Sequence, residues 1–153
     1  MRRTFFAVLA VLILGLLLRG TPEKIGKDQI LRYAPQWLEN YNDCQPDGQF
    51  IEMIKGKITP DLRVDVYLGL WCGDSKNNVP RFIKIMDLVG NPDVVVTFFN
   101  VKRSDKKGSP YFVEELKIER VPTFIFYRGN REIGRIIENP EKSLVEDILD
   151  IID

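Results

Sequence analysis

The chain of 153 residues contains no histidine, the side chain that serves most often as a general base and as a metal ligand. Serine–histidine pairs, cysteine–histidine pairs and histidine-ligated metal sites are therefore excluded. The chain also lacks low-complexity tracts and internal repeats, and its length suits one domain behind an N-terminal segment. Neither sign of charge is in excess, because 22 lysines and arginines balance 22 aspartates and glutamates. Since nucleic-acid-binding proteins present a basic stripe, this balance argues against nucleic acid as a partner.

The first 22 residues have the pattern of an export signal. An arginine pair precedes an uninterrupted apolar run over residues 5–18, and Arg19 follows it. The run is shorter than the roughly 20 residues of a full membrane span, and no Ala-x-Ala-like cleavage site comes after it. Two alternatives stay open: a signal peptide cleaved near Gly20 to Pro22, or a retained signal anchor that associates the protein with a membrane. Both predict that the rest of the chain faces an exported, oxidising compartment, such as the bacterial periplasm or cell envelope.

The motif Trp71-Cys72-Gly73-Asp74-Ser75 gives the strongest indication of chemistry. It follows residues 63–70, whose pattern predicts a buried strand, and precedes the amphipathic residues 76–89, which predict a helix. Cys72 therefore lies at a helix N-terminus, where unpaired backbone N–H groups and the positive end of the helix dipole favour a thiolate. The Asp74 carboxylate in the same turn opposes that negative charge. The pattern predicts that Cys72 is a nucleophile.

The sequence beyond this motif predicts an alternation of strands and helices. The predicted elements are a buried parallel strand over residues 94–101, a short helix over 111–118, and a hairpin of strands 123–127 and 132–138 around Gly129-Asn130. Asn139-Pro140 is predicted to cap a last helix. The apolar face of that helix comprises Leu144, Val145, Ile148, Ile151 and Ile152.

Residues 23–61 are predicted to form helices in front of the strand that leads to Cys72. A helical apolar period runs from Ile30 to Tyr41, and Pro35 interrupts it where a second helix would begin. The apolar residues that follow Asp47 also fit a helix better than a strand.

Three features together resemble the thioredoxin family. They are the Trp71-Cys72-Gly73 start of the motif, Pro80 eight residues after the cysteine, and Val121-Pro122-Thr123 ahead of an apolar strand. The chain departs from the family at Ser75, where the Trp-Cys-Gly-Pro-Cys motif of thioredoxins has its second, resolving cysteine.

The resemblance implies an α/β thioredoxin fold, in which a central mixed sheet is flanked by helices. It covers residues 62–153, which are interpreted as a thioredoxin-like domain, with residues 23–61 as an N-terminal helical extension and residues 1–22 as the export signal. It also implies that the peptide bond before Pro122 is cis.

Roles for individual residues are implied by the same resemblance. Cys72 is the attacking nucleophile, and Asp74 and Ser75 are its neighbours in the catalytic motif. Ser75 is expected either to donate a hydrogen bond to the Cys72 sulfur or to satisfy a helix-start amide. The substrate-binding surface is expected to comprise Trp71, Gly73, Val121 and Pro122, with the backbone before the proline pairing with an extended segment of the substrate.

Two residues limit this chemistry. Many thioredoxins have a buried acid six residues before the first cysteine as a proton relay, but here Val66 occupies that position and Asp65 faces the other side of the strand. Disulfide exchange also passes through a mixed disulfide that a second thiol must resolve. Cys44 is the candidate resolving thiol within the chain, and a small thiol or a partner protein is the alternative. An unpaired or structural role for Cys44 is the favoured interpretation.

Three functions remain open from the sequence. The first is a thioredoxin-family thiol–disulfide oxidoreductase that acts through Cys72 on protein thiols or disulfides, with no cofactor and no metal. The second is a non-catalytic thioredoxin-fold module that uses the same surface to bind a partner. The third is a glutaredoxin-like protein that binds glutathione or an iron–sulfur cluster, since the chain matches three of the four residues of Cys-Gly-Phe-Ser.

Overall fold

The computed structural model describes residues 22–103 and 112–153, and the predicted export signal lies outside them apart from Pro22. In chain order the elements are β1 (Glu23–Ile25), α1 (Lys27–Leu31), α2 (Pro35–Asn42), α3 (Gly48–Lys57), β2 (Leu62–Leu68), α4 (Gly73–Val89), β3 (Val95–Asn100), β4 (Thr123–Arg128), β5 (Arg131–Ile137) and α5 (Leu144–Ile152). Among these helices, none has the length and apolar character needed to span a membrane.

The strands form one mixed sheet in the order β1-β3-β2-β4-β5. Strands β2 and β3 run parallel, with Val66 opposite Phe98. Strand β4 is antiparallel to β2, β5 is antiparallel to β4, and β1 is antiparallel to β3. The predicted hairpin is confirmed, and Gly129 adopts a φ of +60° in its turn. This mixed sheet flanked by helices is the fold class that the sequence predicts.

The helices predicted in residues 23–61 are also confirmed. Pro35 occupies the first turn of α2, where its missing N–H costs no hydrogen bond. Asp47 is the N-cap of α3, and its Oδ1 accepts a hydrogen bond from the Gln49 N–H at 2.8 Å. The same stretch also contains strand β1, so it is not purely helical.

One apolar core joins the N-terminal helices to the sheet. Alternate residues of β2 point to opposite faces, and Val64 and Val66 are fully buried on the face that the helices cover. Trp37 of α2 and Ile54 of α3 are buried in the same core. Residues 23–61 therefore pack as part of this core.

Strand β3 forms parallel to β2 as predicted. The prediction that the strand is buried is wrong, because most of its residues are partly or fully exposed. Phe98 is buried against the helices, whereas Val95 is 56% exposed. The opposite face of the sheet is covered only in part, by a smaller cluster that includes Tyr67, Ile118 and Ile125.

The short helix predicted over residues 111–118 is wrong. In residues 112–118, which the structure describes, the chain makes a tight turn in which Val113 and Ile118 pair as an isolated bridge. Lys117 has a φ of +53°, which an α-helix does not allow. Ile118 is buried in the cluster with Ile125 of β4, a contact that exists only once the sheet has formed.

The predicted cap of the last helix is wrong as well. Helix α5 begins at Leu144, and its N-cap is Ser143, whose Oγ accepts from the Glu146 N–H at 3.4 Å. Asn139 is engaged elsewhere, because its Oδ1 accepts from Asn78 Nδ2 at 2.9 Å. The predicted apolar face is otherwise correct, except that Leu149 is buried while Ile151 is half-buried.

Candidate functional site

Cys72 lies between the end of β2 and the start of α4, where it is the N-cap residue with an extended backbone. Its side chain is half-buried, and the thiol donates a hydrogen bond to the Val121 carbonyl oxygen at an Sγ–O distance of 3.1 Å. The Val121–Pro122 peptide bond is cis. Tertiary folding thus brings together the motif cysteine and the proline segment, 49 residues apart in sequence.

Ser75 is fully buried one helical turn after Cys72. Its Oγ accepts a hydrogen bond from the Gly69 N–H at 3.1 Å. Gly69 lies in the loop between β2 and α4, so this bond closes the loop that carries Trp71 and Cys72. Among the described contacts, the partner of Ser75 is therefore a loop amide, whereas the sequence suggested the Cys72 sulfur or a helix-start amide.

Trp71, the residue before Cys72, is 41% exposed. Its Nε1–H donates to the Val101 carbonyl oxygen at 2.9 Å, which fixes the orientation of the indole. The ring lies so close to Gly69 that a Cβ on that residue would sit 2.8 Å from it, so only glycine fits there. Phe112 flanks the indole with a ring-centroid distance of 5.8 Å. The guanidinium of Arg103 lies 5.6 Å from the indole centroid.

Gly73 and Asp74 follow Cys72 in the first turn of α4. Gly73 is exposed and Asp74 is half-buried. The Asp74 carboxylate lies at the positive end of the helix dipole, where it stabilises the helix.

The proton-relay position of the family is apolar in this chain. Val66 is fully buried, and Asp65 lies on the other face of β2, where Arg63 NH2 is 3.6 Å from its carboxylate. Burial raises the pKa of Asp65, and the nearby Arg63 partly offsets this effect. On the same face, burial together with the charges of Asp65 and Tyr127 raises the pKa of Tyr67 to about 12.

Cys44 does not approach Cys72 in this conformation. Its Sγ lies 4.0 Å from the Arg81 carbonyl oxygen, and both cysteines are free thiols. Arg81 is nine residues beyond Cys72 on α4, which is about 13 Å along the helix axis. A bridge needs Cα atoms within roughly 7 Å, so Cys44 is out of reach of Cys72 without rearrangement. Burial raises the pKa of Cys44, and the nearby Arg81 and Lys84 act in the opposite direction.

Sequence reasoning missed Asn78, which supports the proline segment from α4. Asn78 is buried, and its Nδ2 donates to the Glu138 carbonyl oxygen at 2.8 Å and to Asn139 Oδ1. The Glu138 N–H in turn donates to the Pro122 carbonyl oxygen at 2.7 Å. A polar residue on the apolar face of a predicted helix was the only signal of this role in the sequence.

The structure contains clefts of about 290 and 360 Å³, and Cys72 lines neither. The first lies between the end of α4 and β3, and the second lies between β5 and α5. Within the part of the chain that the structure describes, no group of three or more potential ligands could hold a metal ion.

Comparison with known proteins shows similarity in sequence to thioredoxins and in fold to solved structures. A family model described as thioredoxin matches residues 23–148. Thioredoxin H5 of Oryza sativa subsp. japonica is 29% identical over 80 residues, which are 52% of this chain and 54% of the relative, so the chain spans about half the length of that curated relative. A crystal structure of a protein of unknown function from Pseudomonas aeruginosa superposes with a TM-score of 0.63 at 15% identity, covering 88% of this chain and 92% of the other. An HIV epitope scaffold gives a TM-score of 0.61 at 14% identity, covering 88% and 93%.

Proposed function

Because this chain belongs to the thioredoxin family, we propose that it carries out thiol–disulfide exchange with protein partners through the single motif cysteine, Cys72. The observation that carries the proposal is the place of the Cys72 thiol. It is half-buried at the N-terminus of α4, with its sulfur 3.1 Å from the carbonyl oxygen that precedes the cis-proline. Trp71, the residue before Cys72, is exposed, and Cys72 lines neither of the two clefts described above, so the site suits a protein substrate better than a small molecule that needs an enclosed pocket.

The proposed reaction has two exchange steps. The Cys72 thiolate attacks one sulfur of a partner disulfide, a new S–S bond forms, and the second partner sulfur leaves as a thiolate that takes a proton from water. In the second step another thiol, having lost its proton to water, attacks the partner sulfur of the mixed disulfide; a new S–S bond forms to that sulfur, the bond to Cys72 breaks, and Cys72 leaves as a thiolate. Ser75 cannot perform this second attack, and Cys44 is out of reach, so the second thiol belongs to the partner or to a low-molecular-weight thiol.

The proposal is tested by trapping mixed disulfides in the cell that makes the protein. After rapid acid quenching and alkylation, wild-type protein is expected to run as thiol-sensitive adducts on a non-reducing gel. Cys72→Ala should abolish the adducts, and the matched control Cys44→Ala should retain them. If the adducts vanish equally in both variants, Cys44 and Cys72 act together and the single-cysteine proposal is wrong. A wild type without adducts would also contradict the proposal.

A second candidate function is a binding module that no longer exchanges disulfides. Ser75 in place of the resolving cysteine and the apolar Val66 favour it. The two candidates differ in the reactivity of the Cys72 thiol. Alkylation by iodoacetamide that is faster in the folded protein than in urea supports exchange, whereas a slower reaction in the folded protein supports the binding module.

We also propose that the described part of the chain lies outside the cytoplasm. The arginine pair and the apolar run over residues 5–18 support export, and the length of the run is compatible with retention as an anchor. Fractionation should recover the protein with the envelope or its membranes, and full-length protein in the cytosol would contradict export.

A further inference from the structure

A side chain of the N-terminal segment is hydrogen bonded to the turn that begins at Cys72. Asn40 of α2 donates from its Nδ2 to the Lys76 carbonyl oxygen at 2.9 Å. The Lys76 N–H donates to the Cys72 carbonyl oxygen at 3.0 Å and so makes the first hydrogen bond of α4. Asn40 therefore contacts the residue that closes this first turn.

The Lys76 carbonyl needs an outside donor because of Pro80. In an α-helix, each carbonyl accepts from the N–H four residues later, and proline has no N–H to give. Pro80 is buried inside α4, four residues after Lys76. The side-chain amide of Asn40 takes the place of the donor that Pro80 lacks.

We propose that Asn40 is a positioning residue for the Cys72 thiol, an inference that rests on the proposed exchange function. By donating to the carbonyl that Pro80 leaves without its helical partner, Asn40 keeps the first turn of α4 wound. A wound turn fixes the backbone of Cys72, the first residue of that turn, and so holds the thiol in the position from which it meets an incoming disulfide. Asn40 touches no reacting atom and acts only through Lys76.

The neighbouring residue Tyr41 provides a matched control. Its hydroxyl donates to Asp87 Oδ2 at 2.9 Å, and Lys27 Nζ binds the same carboxylate. Asp87 is 15 residues beyond Cys72, or about 22 Å along the helix axis. Tyr41→Phe therefore removes one hydrogen bond between the same two helices, but far from the thiol.

The test measures the rate at which Cys72 reacts with the aromatic disulfide DTNB in a Cys44→Ala background. Asn40→Leu keeps the size of the side chain and removes the donor, and we expect the rate to fall about fivefold, as the loss of one net hydrogen bond implies. Tyr41→Phe should leave the rate unchanged. Pro80→Ala returns an N–H to position 80, so adding Asn40→Leu to Pro80→Ala should not lower the rate further.

Equal rates in Asn40→Leu and Tyr41→Phe would overturn the proposal, and so would a full effect of Asn40→Leu in the Pro80→Ala background. If Asn40→Leu alone does not fold, a folded double variant supports the proposal and an unfolded one overturns it. Failure of the proposed function is a separate result: the wild type would form no mixed disulfides in the cell, while the DTNB rates would still be measurable.

Discussion

At the scale of single residues, Ser75 shows how one position can be read two ways. Its place in the motif suggests a lost resolving cysteine, whereas its buried hydroxyl holds the Gly69 N–H. The bond has a structural consequence, because Gly69 is buried and its amide would otherwise lack a partner. Replacing Ser75 therefore changes both the chemistry and the loop.

We predict that Ser75→Cys forms a reversible disulfide with Cys72 and gains insulin reduction in the presence of dithiothreitol. One helical turn separates the two positions, which is the spacing that Cys-x-x-Cys sites use. The gain should be partial, because the buried Val66 provides no proton relay. A folded variant whose cysteines never bridge under mild oxidant would contradict the geometry of the site.

The matched control is Ser75→Ala, which should gain no reductase activity. It leaves the Gly69 amide buried without its acceptor, so the free energy of unfolding should fall by about 1–3 kcal/mol. Urea denaturation measures this loss. A variant as stable as the wild type would show that the bond to Gly69 is dispensable.

A titration prediction concerns Tyr67. Its pKa is raised to about 12, first by burial and then by the charges of Asp65 and Tyr127. The folded state thus holds this proton more tightly than the unfolded chain, whose tyrosine has an ordinary pKa of about 10. The resulting stability is complete below pH 10 and is lost as the pH rises through 12.

Urea midpoints measured across this alkaline range test the Tyr67 prediction. Tyr67→Phe should flatten the decline, and Tyr127 and Tyr41, whose pKa values are raised as well, contribute to what remains. Asp65→Asn removes a charge that raises the pKa of Tyr67. The variant should therefore lose less stability than the wild type over this alkaline range. A decline that is identical in all three proteins would contradict the assignment.

At the scale of elements, the start of α5 shows two local signals in competition. Asn139-Pro140 resembles a helix start, but Ser143-x-x-Glu146 matches the capping box. In the structure Ser143 caps the helix, and its Oγ–H donates to Glu146 Oε2 at 2.5 Å. The backbone N–H groups of Glu141 and Lys142 donate to the carboxylate of Asp147 in α5. The residues after Pro140 therefore form a loop that a side chain of the helix stabilises.

We predict that Ser143→Ala lowers the free energy of unfolding by about 1 kcal/mol, which is the usual value of an N-cap side chain. Pro140→Ala should cost little, because Pro140 is outside the helix. Thermal unfolding of the two variants gives the comparison. A larger loss for Pro140→Ala than for Ser143→Ala would mean that the helix start is misassigned.

At the scale of the whole molecule, the N-terminal helices and the sheet share one core. Trp37 of α2 is 1% exposed and belongs to the same cluster as Val66 and Phe124. Two adjacent side chains of α2 also bind α4: Asn40 binds Lys76 near the start of α4, and Tyr41 binds Asp87 near its end. Unfolding of residues 23–61 without the rest would expose this core, so the described residues are expected to unfold together.

The test compares two residues of α2 that are adjacent in sequence. Trp37→Ala should lower the free energy of unfolding by about 3–5 kcal/mol, because it removes a fully buried indole. Leu38→Ala is the control, since Leu38 is 45% exposed and its loss should stay within about 0.5 kcal/mol. Circular dichroism and Cys72 labelling in urea should give coincident transitions. Separate transitions would show that the N-terminal helices fold on their own.

What the sequence determined by itself is local. The strand before Cys72, the helix after it, the Gly129-Asn130 hairpin and the Pro35 and Asp47 helix starts follow from apolar periods, turn residues and caps that lie within a few positions of one another. Three short motifs, Trp71-Cys72-Gly73, Pro80 and Val121-Pro122-Thr123, were enough to indicate the family.

Tertiary structure decided whatever depends on partners distant in the chain. The Cys72 sulfur meets the Val121 carbonyl only because β4 pairs with β2, and Asn40 reaches Lys76 only because α2 packs on α4. Residues 112–118 form a turn and not the predicted helix, because the turn buries Ile118 against the sheet. Such contacts have no local signature, since packing selects among conformations that the sequence alone permits.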